Sequence, residues 1–167
     1  VLIGTFTFSY LTNDHIRMII GLMAIIFCLD YYFRKDSDKP KKPSKFASYF
    51  WPSLSGFTSF SIHAGGLPLS FYLLPMRLDR TMYVATAGLF YLLINLFKIF
   101  PYAYLGEMNF ENIYTSLLLL PLAPLGVYFG AYLVDKIGQD WFYKIGYFCT
   151  LLAGCKLFYD GSIKLFL

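Results

Sequence analysis

The chain has 167 residues, of which 57% are hydrophobic and 21% aromatic, with 14% charged and a net charge of +4. A soluble domain is usually about 25% charged, so this composition excludes an ordinary soluble fold. Six of the fourteen basic residues sit in one short linker, which excludes a spread nucleic-acid surface and reads as a topology signal beside a membrane.

Several apolar runs approach the ~20 residues needed to cross a bilayer. The chain opens at Val1, without Met, inside an apolar segment and with no basic region of a signal peptide, so its start reads as truncated. Residues 1–11 read as the end of a membrane helix, and 12–17 as a polar turn. A second helix is expected over 18–33. Asp30 and Arg34 stand four apart near its end, where they can pair and Arg34 can snorkel. The linker 34–45, RKDSDKPKKPSK, must lie in water. A broken segment is predicted over 46–75, then a short basic turn, and helices over 81–100, 113–134 and 141–159. The 101–112 loop carries Glu107 and Glu111 and no basic residue.

The segment 46–75 is the least ordinary. It contains SGFTSFSIHAGGLPLSFYLLP, with two adjacent glycines, a proline, hydroxyls and a histidine among membrane-grade neighbours. Irregular backbone at membrane depth survives only where protein covers it or where it lines a cavity. Transporters place such breaks at their substrate sites. If the segment crosses once, basic residues divide seven to four between the two sides. If it is a re-entrant hairpin, one side collects the six linker charges with Arg77, Arg80 and Lys136, nine in all, against Arg17 and Lys164. Nine to two obeys the positive-inside rule better, and the hairpin is the expected arrangement.

Two regions look alike. IGTFTFSYL at 3–11 matches LGVYFGAYL at 125–133, Ile20-Gly21 matches Ile145-Gly146, and Phe33 falls opposite Phe158. Residues 1–33 therefore read as the end of a first repeat, and 46–167 as a second repeat inverted relative to it, with most of the first repeat missing. The fold class expected is an all-α, polytopic membrane protein with a broken or re-entrant helix, half of an inverted-repeat transporter.

By this point the residues resemble a family. Gly56 with Ser59, the turn Ala64 to Pro68, Tyr72 to Pro75, Ala85-Thr86, Asn95 with Lys98 to Tyr102, and Pro121, Pro124, Gly126 and Gly130 resemble the TauE/SafE sulfite-exporter family of membrane permeases. The resemblance covers about 50–160, and 1–33 looks like the end of that family's first half. It implies transport of small anions such as sulfite, sulfonates or other sulfur-containing organic acids. Members usually have a full first half, so the chain alone is expected to lack activity.

The candidate substrate-binding residues are Ser55, Ser59, His63, Gly65, Gly66, Pro68, Asn95 and Lys98. Gly65 and Gly66 free the backbone, and Pro68 sits where a following helix would begin, a position that tolerates proline. Free N–H groups and the positive dipole end there suit an oxyanion, while a plain kink is the bland alternative. Ser55, Thr58, Ser59 and Ser61 could donate to sulfonate oxygens, or bond back to their own helix. His63 could donate to an anion or sense protons, or rest neutral on a carbonyl. Asn95 and Lys98 share a face with Gly88 and Tyr91. Lys98 either attracts anions or snorkels beside Pro101, and Asn95 is expected to face protein.

Gly126-x-x-x-Gly130 reads as a close helix contact, Pro121 and Pro124 as kinks, and Lys156 with Asp160 as an interfacial pair. Cys28, Cys149 and Cys155 read as buried side chains, without metal spacing. No catalytic constellation, metal cluster or cofactor motif is present in the sequence. The reading is a secondary transporter of the plasma membrane. Its expected partners are a small anion, the lipid bilayer, a coupling proton or ion and further copies of itself, with no nucleic acid. A membrane scaffold subunit and an intramembrane enzyme are the alternatives. The scaffold would not need the break, and the enzyme should show paired catalytic groups at membrane depth.

Overall fold

The computed structural model describes residues 12–34, 39–104 and 110–166, so the 1–11 half of the repeat comparison lies outside the described residues, as does Glu107. Seven α-helices and one 3-10 turn make up the described chain: α1 Asn13–Phe33, α2 Lys45–Ile62, α3 Gly66–Leu73, the turn Leu74–Met76, α4 Arg80–Tyr104, α5 Phe110–Leu119, α6 Leu122–Lys136 and α7 Gln139–Phe166. Two of them, α1 and α4, are long and apolar enough to cross a membrane. The chain forms two compact units, Val1–Leu78 with Tyr143–Leu167, and Asp79–Phe142.

In the first unit α1 buries Ile16, Ile20, Ala24 and Cys28, one residue per turn, and exposes Ile19, Leu22, Ile26 and Leu29. This is the one-sided stripe of a helix packed on one face. Its core partners are Leu67 and Phe71 of α3, with Trp51, Leu54, Phe57 and Ile62 of α2 and Leu157 of α7 packed around them. Against α7 the contact is backbone to backbone. A Cβ on Gly21 would meet the Phe158 nitrogen and, at 2.7 Å, the Gly154 carbonyl, and one on Gly161 would meet the Asp14 carbonyl at 2.7 Å. Small residues allow this approach, which drives helix association where lipid replaces water.

The segment predicted as broken doubles back on itself. Ser44 caps α2, its Oγ accepting from the Ala47 N–H at 3.2 Å. At the other end His63 takes the left-handed conformation (φ 54°), and the Ala64 N–H reaches back to the Thr58 carbonyl at 3.2 Å. The His63 N–H reaches the same carbonyl, a six-to-one bond, and the two together close the helix and turn the chain. The returning arm then pairs with the outgoing one at three levels. Ser55 Oγ donates to the Gly65 carbonyl at 2.7 Å, Tyr72 Oη to Ser48 Oγ at 3.3 Å, and the Lys41 N–H to the Pro75 carbonyl at 2.8 Å. This is the antiparallel ladder of a helical hairpin.

The hairpin's base is held by Arg77, also left-handed (φ 50°). Its Nη2 donates to Tyr31 Oη at 3.1 Å, and its guanidinium lies 4.9 Å from the centre of the Tyr143 ring. Tyr143 Oη donates to the Leu78 carbonyl at 2.6 Å. Tyr31 stacks on Tyr147 with ring centres 3.6 Å apart.

In the second unit Arg80 ties the start of α4 to the end of α6. Its N–H donates to Gln139 Oε1 at 3.1 Å, and its guanidinium donates to the carbonyls of Ile137 and Asp135, the latter at 3.3 Å. A cation on the last carbonyls of a helix satisfies orphan acceptors and complements the dipole. The inward stripe of α4 runs Tyr83, Ala87, Tyr91, Ile94 and Lys98, while α6 is exposed along almost its whole length.

Several expected boundaries change. The 113–134 helix is two, interrupted at Leu120 and Pro121, where bonds of the tighter i to i+3 type replace the α pattern. The 81–100 helix runs on through Pro101 to Tyr104, and the 141–159 helix runs on to Phe166. Among the described residues nothing lies within 4 Å of an added Cβ on Gly126 or Gly130, and close helix contact is seen instead at Gly21, Gly154 and Gly161. Cys28 is buried, donating its thiol to the Tyr147 carbonyl at 3.4 Å, but Cys149 and Cys155 are exposed on α7.

Candidate functional site

The hairpin tip gathers six of the eight sequence-predicted residues. Ser55 is fully buried, and its hydroxyl is spent on the Gly65 carbonyl. Ser59 is buried directly under Gly65, where an added Cβ would lie 2.6 Å from the Ser59 Cβ and 2.7 Å from the Ser55 carbonyl. Gly65 itself has an ordinary helical conformation (φ −61°, ψ −20°), so glycine is needed there for close approach rather than for backbone freedom.

Gly66 is the first residue of α3 and is exposed, Leu67 and Pro68 are buried, and the helix's first bond runs from the Leu69 N–H to the Gly65 carbonyl at 3.3 Å. Pro68 stands where an N–H would have been an orphan anyway. The N–H groups of Gly66 and Leu67 precede that first bond. His63 is exposed, and its strained backbone, rather than its ring, makes the turn.

The neighbouring hydroxyls divide. Thr58 Oγ1 bonds back to the Leu54 carbonyl at 2.9 Å and to the Ser55 carbonyl at 3.3 Å. Ser61 Oγ is buried and has no hydrogen-bond partner among the described residues. An unmade bond on a buried hydroxyl costs free energy, which a ligand accepting from it would return.

Beside the tip lies a crevice of about 480 Å³ lined by Arg17, Ile62, Leu157, Asp160, Ile163 and Lys164. Arg17 is held by Asp14 at 3.0 Å. Sequence reasoning used Arg17 and Lys164 only to orient the chain and gave Asp160 to a pair with Lys156. Among the described residues that pair does not form, whereas Asp30 and Arg34 do pair, at 2.9 Å. The spacing of residues 17, 62 and 164 along the chain gave no local signal of their meeting.

Asn95 and Lys98 belong to the second unit. Lys98 is buried, 7% exposed, and so does not snorkel. Asn95 is exposed, contrary to its expected inward position, because the stripe passes through Ile94. At 100° per residue, a one-residue misjudgement moves a side chain off the buried face. Gly88 is open as well.

The comparisons with known proteins identify a family. The family model described as sulfite exporter TauE/SafE matches residues 1–157. The search of curated proteins and the search of solved structures each return no match. The matched span takes in the hairpin, its tip and the whole second unit, and the chain therefore belongs to the TauE/SafE sulfite-exporter family, a family of integral membrane transporters.

Proposed function

We propose that the chain carries small sulfur-containing oxyanions, sulfite or sulfonates, across the plasma membrane as part of a secondary transporter, and that the hairpin tip contacts the anion. The observation that carries this reading is the ladder from Ser55–Gly65 to Lys41–Pro75, which brings both ends of the broken segment together. The tip residue Ile62 shares a crevice with Arg17, and the base residues Lys41 and Pro75 share one with Asp30 and Arg34. Arg17 and Asp30 are about 20 Å apart along α1 at 1.5 Å per residue. A hairpin of that depth within a ~30 Å hydrocarbon core is re-entrant, with its tip deep in the membrane and both ends on the cytoplasmic side.

At the tip the exposed Gly66, the Leu67 N–H and the orphaned Ser61 hydroxyl are donors for oxyanion oxygens, at the positive end of the α3 dipole. Ser59 and His63 border them. Lys98 supplies a buried cation in the second unit, and Asn95 is the least supported member of the set. The charge division and the internal likeness of 1–33 to 123–158 support an inverted-repeat plan. A coupling proton or ion and self-association belong to the same reading.

The test is calorimetric titration of sulfite and of an alkyl sulfonate into the purified protein, with helicity followed by circular dichroism. Gly66→Val puts bulk at the exposed entrance of α3 and should weaken binding by more than about tenfold, ~1.4 kcal/mol, with the helices intact. Ser59→Ala should cost less, about 0.5–1.5 kcal/mol. Unchanged binding by Gly66→Val would make the tip a kink and move the site elsewhere.

A further inference from the structure

At the base of the hairpin a second, much smaller crevice opens, lined by Phe27, Asp30, Tyr31, Arg34, Lys39, Lys41, Pro75 and Tyr147. Its volume of about 20 Å³ is close to what one water-sized group occupies. Among the described residues three cations border it against one carboxylate, and that carboxylate is engaged by Arg34 at 2.9 Å. Lys39 and Lys41 are exposed at its mouth, and the backbone of Lys41 is fixed to the Pro75 carbonyl at 2.8 Å. The wall is aromatic, formed by Phe27 and by the stacked pair Tyr31 and Tyr147. These features lie at the end of α1, where the apolar stripe gives way to the charged linker.

We infer that this crevice binds the phosphate of an anionic phospholipid headgroup from the leaflet that faces the linker. Its size admits one phosphoryl oxygen, and the remaining oxygens meet Lys39, Lys41 and Arg34 at the mouth. Juxtamembrane clusters of Lys and Arg attract anionic lipids. Tyrosine rings sit at headgroup level with one apolar and one polar end. A lipid is favoured over a free phosphate because the exposed side chains Phe33, Phe46 and Tyr49 flank the linker and offer apolar surface to acyl chains. The bound headgroup would bridge the linker and the end of α1, and so brace the base of the hairpin.

The experiment uses the full chain in zwitterionic detergent micelles, with native mass spectrometry counting retained lipid. Phosphatidylglycerol is titrated against phosphatidylcholine, and inorganic phosphate is added as a competitor in a separate arm. Phosphatidylglycerol should be retained preferentially, and millimolar phosphate should not displace it. The paired variant Lys39→Gln with Lys41→Gln should weaken retention by about thirtyfold, from roughly fivefold per basic residue at an anionic surface. Lys42→Gln with Lys45→Gln removes the same charge outside the crevice and should change it only a few-fold. Circular dichroism checks that both pairs fold, and a pair that does not is replaced by Lys→Arg at the same positions, which should retain lipid.

Equal losses in the two pairs would overturn the site and leave only bulk charge. No preference over phosphatidylcholine would overturn the anionic headgroup. Displacement by inorganic phosphate would overturn the lipid as its source.

Discussion

The chain interrupts its helices at two places, and the two interruptions are built differently. At 63–65 the turn is held by a left-handed residue, a six-to-one bond to Thr58, a buried serine donating to the Gly65 carbonyl, and the absence of room for a Cβ on Gly65. At Leu120 and Pro121 the chain makes short turn bonds, and the neighbouring side chains from Tyr114 to Leu133 are exposed. A membrane tolerates irregular backbone only where protein or water satisfies it. The first interruption is satisfied by its own unit and leaves exposed donors at Gly66. The second is a proline-forced joint whose surroundings within its own unit are open. The difference supports reading the first as the functional break proposed above.

The largest effect should come from filling the space that the hairpin closes. Gly65→Ala should destabilise the protein by about 1–3 kcal/mol or more, because the added methyl meets backbone as well as side chain. Pro121→Ala should stay within about 1 kcal/mol. Thermal unfolding in detergent followed by circular dichroism would compare them. Similar midpoints for the two variants would break the contrast.

A second comparison sets the glycines of α1 and α7 against those of α6. Gly154→Val places carbon 2.6 Å from the Ala24 Cβ and should cost ~1–3 kcal/mol, whereas Gly126→Val meets nothing within 4 Å and should stay within about 0.5 kcal/mol. The measurement is again unfolding in detergent. A large loss for Gly126→Val would reveal a partner surface on α6.

Much of this was legible in the sequence for a physical reason. Paired glycines, a proline and polar residues in an apolar run stand out because lipid penalises an open backbone, although the left-handed turn falls on His63 and Gly65 is needed for close approach. The helical class and the family followed from local patterns of that kind. What could not be read was long-range. Gly21 and Gly154 look like any helical glycines until two helices meet, and nothing near Arg17 or Lys164 announces a shared crevice. The facing of Asn95 depended on the phase of a helix whose residues are almost all apolar, so the pattern gave little to set it by. The extension of α7 to Phe166 was hidden because Asp160 and Lys164 look like an end, yet they line the crevice beside the tip.

The smallest effects separate the two hydroxyls of the hairpin. Ser55→Ala removes the shorter of the two bonds to the Gly65 carbonyl and leaves only the one from the Leu69 N–H, which should cost about 1–1.5 kcal/mol. Thr58→Val removes only bonds back to its own helix, whose carbonyls keep their backbone partners, and should cost less than about 1 kcal/mol. Unfolding midpoints in the opposite order would mean that the cross-arm bond does not hold the tip.

The central claim is that the broken segment enters and leaves the membrane on one side. Membrane-impermeant thiol labelling decides it, in a background where Cys28, Cys149 and Cys155 are replaced by serine or alanine. Lys42→Cys and Asp79→Cys, both at exposed positions flanking the hairpin, are labelled in sealed vesicles of known orientation. Both should react from the cytoplasmic side alone, and reaction of the two from opposite sides would contradict re-entry.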